Sequence, residues 1–533
     1  MTGTRQSDRA TGTARRSALV AGGTLISRLS GVVRIAVIGA VLGPTYFANS
    51  FVTANFLPAQ AYLLIAGQAL APVIVPAVVR AVAQRGPAGA TALLGRVGGF
   101  LLATSGAITA LLVIAAPLLA WVLTIGIADP VARGAAQDLT VVLILLVAPQ
   151  VVCYTAAAFG SAAQQARERF TLAAVAPVAE NIVVIGVVLF AGATWGTGLE
   201  VGEVPMAFVL TLGVGSTLAV LAHAAAQVFG AARAGLALRP RVRWRSDPEA
   251  ADVARRLGKS VTVAIAPTTG LFLLVTAAAT VPGGSIVVQT AYLAFGCSMA
   301  LGSRAVSTVV LPGMSAAVER GDGVGFAVAW RKALSYVAVT GLPSLLLLAA
   351  LAHPIAAVLA HGELRSALLV DQLAACLVVV GLAQLVAGVH QIGRQALYAR
   401  LDIVGPRRGS LIALGVSCAV VGGALLVPPG QARLVVLCVA LFAGELAGVV
   451  LVLARLRSAM RAERLVDRPA IAGALAAAVA MAPVVVLGRW FLESRGADQV
   501  GTVVVLAVCG LVALAVYALV LRTSANLWTG RTS

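Results

Sequence analysis

The feature that most constrains this chain is a series of apolar runs, each about as long as a membrane is thick. A bilayer core of about 30 Å takes roughly 20 apolar residues per helix. By that ruler the sequence holds fourteen candidate spans, at 18–42, 47–79, 92–124, 138–162, 171–193, 205–230, 260–281, 285–317, 333–358, 368–397, 408–428, 432–454, 469–491 and 499–521. With 60% hydrophobic and only 11% charged residues over 533 positions, the chain lacks the polar surface that a soluble protein of this length needs. The fold class read from this is an all-α polytopic membrane protein with about 14 transmembrane helices.

The charges test that count. Lys and Arg number 39 against 20 Asp and Glu, a balance that in a soluble protein would suggest nucleic acid. Here location decides. With the N terminus in the cytoplasm and the spans alternating, 29 of the 39 basic residues fall on cytoplasmic segments, 5 outside, and 5 within spans (Arg28, Arg34, Arg96, Arg304 and Arg394). This asymmetry is the one membrane insertion imposes, and it places both termini in the cytoplasm.

A weak internal repeat sets the domains. GQALAPVIVPAVVRAV in span 2 is similar to SRAVSTVVLPGMSAAV in span 8, and Pro76 aligns with Pro312, 236 residues on. Both segments end at a cytoplasmic loop, so the repeat is parallel, with its axis along the membrane normal. The expected organisation is a disordered basic tail at 1–17, an N-lobe at 18–230 (spans 1–6) and a basic linker at 231–259. A C-lobe follows at 260–455 (spans 7–12), then spans 13–14 at 456–521 and a tail at 522–533. Prolines 58, 72 and 76 in span 2, and single prolines in spans 5, 7 and 9, mark places where a helix can kink.

Chemistry-bearing residues are few. The six cysteines lie in apolar runs without CxxC spacing and read as small buried hydrophobes. The four histidines form no paired-ligand pattern, so no metal site is expected. No nucleophile or paired-carboxylate motif argues for an enzyme, and the outer loops are short. What stands out is SRLSGVVR in span 1. Each of its arginines costs about 2.5–3.5 kcal/mol at a bilayer centre. Ser27, Ser30, Gly31 and Arg34 share one helical face, with Arg28 rotated about 120° from Arg34. Too deep to snorkel easily, both arginines should face a hydrated cavity or an anion, and a guanidinium fork suits phosphate. Glu180 with Asn181 is either a cation or proton site or the partner of one of the arginines; Glu445 in span 12 is a second candidate cation site. Arg304 takes in span 8 the repeat position of Gln68 and is a candidate cavity residue of the second lobe.

Four stretches together resemble the MurJ/MviN lipid II flippases of the multidrug/oligosaccharidyl-lipid/polysaccharide exporter superfamily. They are SRLSGVVR, RFTLAAVAPVAEN, STVVLPGMS, and LYARLDIVGP with Tyr398, Arg400, Asp402 and Pro406. The resemblance implies two lobes around a cationic cavity, a groove near spans 13 and 14 for a polyprenyl tail, and helix-1 arginines that meet a pyrophosphate. The implied function is flipping a polyprenyl-pyrophosphate-linked glycan, foremost peptidoglycan lipid II, from the inner to the outer leaflet of the bacterial cytoplasmic membrane by alternating access. Its implied partners are that glycan lipid, membrane lipids and cell-wall synthesis proteins, with no nucleic acid. No cofactor is implied beyond a coupling cation or the membrane potential. The pattern departs at Leu63 and Leu293, where the family carries cavity arginines, and at Ile35 and Gly67, where it carries acids. Alternatives are a flippase for another lipid-linked polysaccharide, a cation-coupled drug exporter of the superfamily, and a non-transporting envelope scaffold.

Overall fold

The structure is a computed structural model. It describes residues 22–23, 26–64, 70–241, 244–245, 247–460, 464–495 and 498–529, without the side chains of 260, 262–264, 308, 495 and 524–529. Gly67, Gln68 and the N-terminal tail lie outside the described residues. Every regular element among the described residues is helical. Two compact units are formed, Met1–Phe272 and Leu273–Ser533.

The first unit contains α1 (26–42), α2 (Tyr46–Tyr62), α3 (Leu70–Ile114), α4 (Ala116–Thr124), α5 (Pro130–Val147), α6 (Gln150–Ala166), α7 (Thr171–Trp195), α8 (Met206–Arg233) and most of α9 (Pro248–Ala278). Helix starts follow local chemistry. The Thr45 hydroxyl caps α2 by accepting from the Ala48 amide at 3.1 Å. Asp129 followed by Pro130 opens α5, which is why this helix begins eight residues before the expected span. The long α3 is two helices joined at Gly86, whose φ of 68° only glycine adopts freely. By contrast Pro58, Pro76, Pro177 and Pro267 all sit inside continuous helices. The core joins Leu93, Leu94, Val97 and Leu101 of α3 to Phe159 and Ala162 of α6. Close approach needs small residues, as is usual between membrane helices: a Cβ at Gly160 would sit 2.7 Å from the Gln227 carbonyl of α8, and one at Gly213 2.5 Å from Leu146.

The basic linker belongs to this unit and is strapped along α3. The Arg241 amide donates to the Gly95 carbonyl at 2.7 Å. A Cβ at Gly95 would sit 2.6 Å from the Arg239 carbonyl oxygen, and one at Gly99 would overlap that of Arg241. Phe100 and Trp244 pack edge to face at 4.9 Å, Arg96 ion-pairs Asp247, and Arg85 pairs Glu249. Arg96, counted among the intramembrane arginines from sequence, is thus held by the linker, and its charge is answered there.

The second unit contains α10 (Gly284–Leu301), α11 (Ser303–Glu319), α12 (Gly323–Ala350), α13 (Ala352–Leu359), α14 (Ala367–Ala399), α15 (Val404–Ala424), α16 (Gln431–Met460), α17 (Arg468–Arg495) and α18 (Gln499–Thr529). Helix α14 lies centrally against α10, α11, α12 and α16; α15 packs on α16, while α17 and α18 pair and lean on α12. Gly444 and Gly448 form a GxxxG stripe on α16 that admits Ser417 of α15 and the His390 ring of α14. Trp330 is fully buried and its indole N–H donates to the Leu465 carbonyl at 2.9 Å.

Eleven helices among the described residues are long and apolar enough to cross a membrane. Helix also occupies the remaining three expected spans. They fall short of that measure because α1 is described over 17 residues, α2 ends at Tyr62, and α9, whose side chains at 260 and 262–264 are not described, counts from Ile265 to Ala278. Large apolar side chains such as Leu118, Ile182, Phe190, Val479 and Leu511 point outward, an arrangement that suits lipid and not water. Two kinds of feature occur in both units. Regular α-helix gives way at Leu63–Leu64, which wind as a π turn, and at Gly302, which separates α10 from α11 with φ −95° and ψ −106°. Helices α6 and α14 both end in a 6→1 bonded corner, Arg169 to Gln164 and Asp402 to Leu397, each at 3.0 Å. The left-handed residue in these corners is Glu168 (φ 56°) or Leu401 (φ 60°) in place of glycine.

Candidate functional site

The serine face of α1 lies against α7. Asn181 donates from Nδ2 to the Ser30 hydroxyl at 2.8 Å and lies 3.5 Å from the Ser27 carbonyl. Ser30 in turn donates to the Ser27 carbonyl at 2.9 Å. A Cβ at Gly31 would make only ordinary contact with Asn181, at 3.8 Å, so the small face sets a helix contact centred on one amide. One turn further, Arg34 reaches the neighbouring residue of α7. Its Nη1 lies 3.3 Å from Glu180 Oε1.

Glu180 is the hub of this site. Its Oε1 also accepts from the Tyr154 hydroxyl of α6 at 3.1 Å, and its Oε2 lies 2.8 Å from His223 Nδ1 of α8. Four helices therefore converge on one carboxylate. That carboxylate is 9% exposed, whereas the Arg34 side chain is 31% exposed. Burying a carboxylate is costly unless it is paired and hydrogen-bonded, and three donors meet that need. Of the two readings of Glu180 taken from sequence, partner of an arginine or cation site, the geometry places it as the partner of Arg34. Tyr154 and His223 were missed. An ionisable histidine inside an apolar span was the available signal for His223; nothing marked Tyr154. Arg28 is exposed and has no ion-pair partner among the described residues.

In the second unit Glu445 of α16 meets His390 of α14, with Oε2 2.6 Å from Nδ1. His390 is 2% exposed, and its ring fills the space left by Gly448. Arg394, one turn on, donates to Gln391 at 2.5 Å and reaches Ser410 at 3.5 Å. Arg304 begins α11 with its side chain exposed; Leu293 lies half-buried in α10. Among the described residues no cluster of three or more His, Cys, Asp or Glu side chains could hold a metal ion.

The LYARLDIVGP stretch is a structural corner. Asp402 accepts from the Gly405 amide at 2.8 Å and from Arg455 at 3.0 Å. Burial pushes its carboxyl pKa up, but the Gly405 amide and Arg455 outweigh that and hold it below the ordinary value. The Arg400 guanidinium lies over the Phe326 ring at 5.3 Å, the Tyr398 carbonyl accepts from the Leu401 amide at 2.9 Å, and Pro406 is buried.

Comparison with known proteins follows from this geometry. The sequence model of the lipid II flippase MurJ family matches residues 38–510. The chain belongs to that family. The matched range begins at Ile38, after both helix-1 arginines. A probable lipid II flippase MurJ from Rhizobium tropici is 27% identical over 404 residues, covering 75% of this chain and 73% of that protein. Among solved structures, a lipid II flippase MurJ in an inward closed conformation superposes with a TM-score of 0.70 at 15% identity, over 97% of this chain and 99% of the other. An inward-facing multidrug resistance MATE transporter of the MOP superfamily follows, with a TM-score of 0.62 at 14% identity over 82% and 95%. The family resemblance and the helical, membrane-spanning fold expected from sequence both hold.

Proposed function

We propose that this chain flips a polyprenyl-pyrophosphate-linked glycan, lipid II foremost, across the cytoplasmic membrane by alternating access, with Arg28 and Arg34 receiving the pyrophosphate and Arg304 serving the second lobe. The observation that supports this is Arg34: an intramembrane guanidinium held on one side by a buried carboxylate and open on the other. Such a group can grip a mobile anion without being a bare charge in lipid. Fourteen crossings with both termini cytoplasmic belong to the same reading.

The test is a depletion rescue. A bacterium's own lipid II flippase is shut off, and this chain is expressed as wild type and as Arg28→Ala with Arg34→Ala. Growth with the wild type and lysis with the double variant is the expected result. Lysis with both, at confirmed membrane expression, refutes lipid II as substrate. A second reading, another lipid-linked glycan, is favoured by apolar Leu63 and Leu293 standing where the family carries arginines; it predicts that second outcome.

A further inference from the structure

We propose that Glu180 is the resident anion of Arg34, exchanged for the substrate's phosphates, and that it thereby holds down the affinity for the bound lipid phosphate and eases its release. The inference rests on the pyrophosphate reading of Arg34 given above.

The partners of Glu180 are unequal. Its contact to Arg34 is the longest of the three, 3.3 Å against 3.1 Å to Tyr154 and 2.8 Å to His223. It is also single-pronged. Among the described residues Arg34 places one of its five N–H donors on protein, so the bidentate geometry that makes guanidinium–oxyanion pairs strong goes unused. If Arg34 leaves, Glu180 keeps one partner on each oxygen, from α6 and α8. If Glu180 is lost, Arg34 has no other carboxylate among the described residues. The site is thus built to let go of the arginine and keep the acid.

An incoming anion must outcompete a carboxylate that is already in place. A pyrophosphate brings more charge and more acceptor oxygens than a single phosphate ester, and it can take the unused fork. A monophosphate has less to offer against the same competitor. Glu180 therefore lowers the affinity for either lipid by the same factor, because each must displace the same resident carboxylate; the preference for pyrophosphate comes from its own added contacts to the guanidinium fork, and the rival eases release. Tyr154 and His223 act through Glu180 and are positioning residues.

The experiment uses the full chain in lipid nanodiscs, with undecaprenyl pyrophosphate and undecaprenyl phosphate as probes and binding read by native mass spectrometry. Wild type is expected to prefer the pyrophosphate by about tenfold. In Glu180→Gln, which retains hydrogen-bonding groups for Tyr154 and His223 while removing the charge, the affinities for both lipids are expected to rise together by about tenfold, with the preference between them unchanged. Tyr154→Phe should move the other way: with one holder gone, Glu180 leans on Arg34, and both lipids bind more weakly. A structural role alone predicts the same direction for both variants. If Glu180→Gln leaves both affinities within about twofold of wild type while Arg34→Ala weakens pyrophosphate binding, the exchange is refuted and the pyrophosphate site stands. If Arg34→Ala binds like wild type, the site reading itself fails. Should Glu180→Gln not assemble, the Tyr154→Phe arm decides alone, and tighter or unchanged binding there overturns the proposal.

Discussion

Replacing Gly99 by alanine should lift the linker from the first unit. The added Cβ overlaps the Arg241 carbonyl oxygen and lies 3.2 Å from the Arg241 amide nitrogen. These are backbone atoms that cannot rotate aside, so the strap has to move. Three contacts are then lost. The Arg241 amide bond to Gly95, at 2.7 Å, contributes about 1 kcal/mol. The edge-to-face Phe100–Trp244 pair contributes about 0.5–1.5 kcal/mol. The part-exposed Arg96–Asp247 pair adds at most about 1 kcal/mol. Together they hold the strap by about 2–3 kcal/mol, which corresponds to a roughly 30- to 150-fold rise in its open population on release. Hydrogen exchange of the Arg241 amide reads this directly, because protection tracks the open fraction. Gly106→Ala, whose Cβ meets nothing within 4 Å, should leave that exchange unchanged and serves as control. Wild-type protection in Gly99→Ala would refute the reasoning.

Three further outcomes follow from packing and charge. Gly448→Ala puts a Cβ 2.5 Å from His390 Cε1; such overpacking costs about 1–3 kcal/mol, and the apparent melting temperature of the solubilised chain should drop. Glu168→Gly and Leu401→Gly relieve left-handed backbone that costs a side-chain-bearing residue about 1–2 kcal/mol, so each should raise the same melting temperature or, after the entropy of glycine is counted, leave it level; a drop would contradict the corner geometry. Asp402, with its pKa held low, stabilises the fold fully above the ordinary carboxylate range and loses that contribution as pH falls through its depressed value. Asp402→Asn, at a part-exposed position, should therefore cost no more than about 1 kcal/mol near neutrality and should flatten the acid limb of stability against pH, measured by thermal unfolding at stepped pH.

Much of the architecture was legible because a membrane leaves few options. Apolar runs located helices throughout the described residues. The pairing of Arg34 with Glu180 was among the readings because two opposite charges in lipid must find partners. The rest failed for physical reasons. The partner of Arg96 was not legible, because Asp247 lies 151 residues away in a loop whose path no local pattern encodes. Pro58, Pro76, Pro177 and Pro267 drew attention as breakers yet sit inside continuous helix, since a proline's lost hydrogen bond can be absorbed by neighbouring helices; the break in α3 falls at Gly86, just before Pro87, whose ring disfavours α backbone at the preceding residue. Tyr154 is invisible in a one-dimensional reading, because a tyrosine in an apolar helix is ordinary until a carboxylate faces it.

The interruption at Gly302 bears on the membrane as much as on the protein. The break falls in the middle of one expected crossing but inside the protein: Gly302 and Ser303 are buried, the Gly302 amide donates to the Ser298 carbonyl at 2.9 Å, and the Gly302 carbonyl accepts from the Val306 amide at 3.1 Å. Arg304, exposed two residues on, adds a full charge at the same depth. The backbone there is provided for by the protein, so what the membrane would have to meet at this break is the Arg304 charge alone, and an exposed guanidinium inside a crossing calls for water or a headgroup beside it.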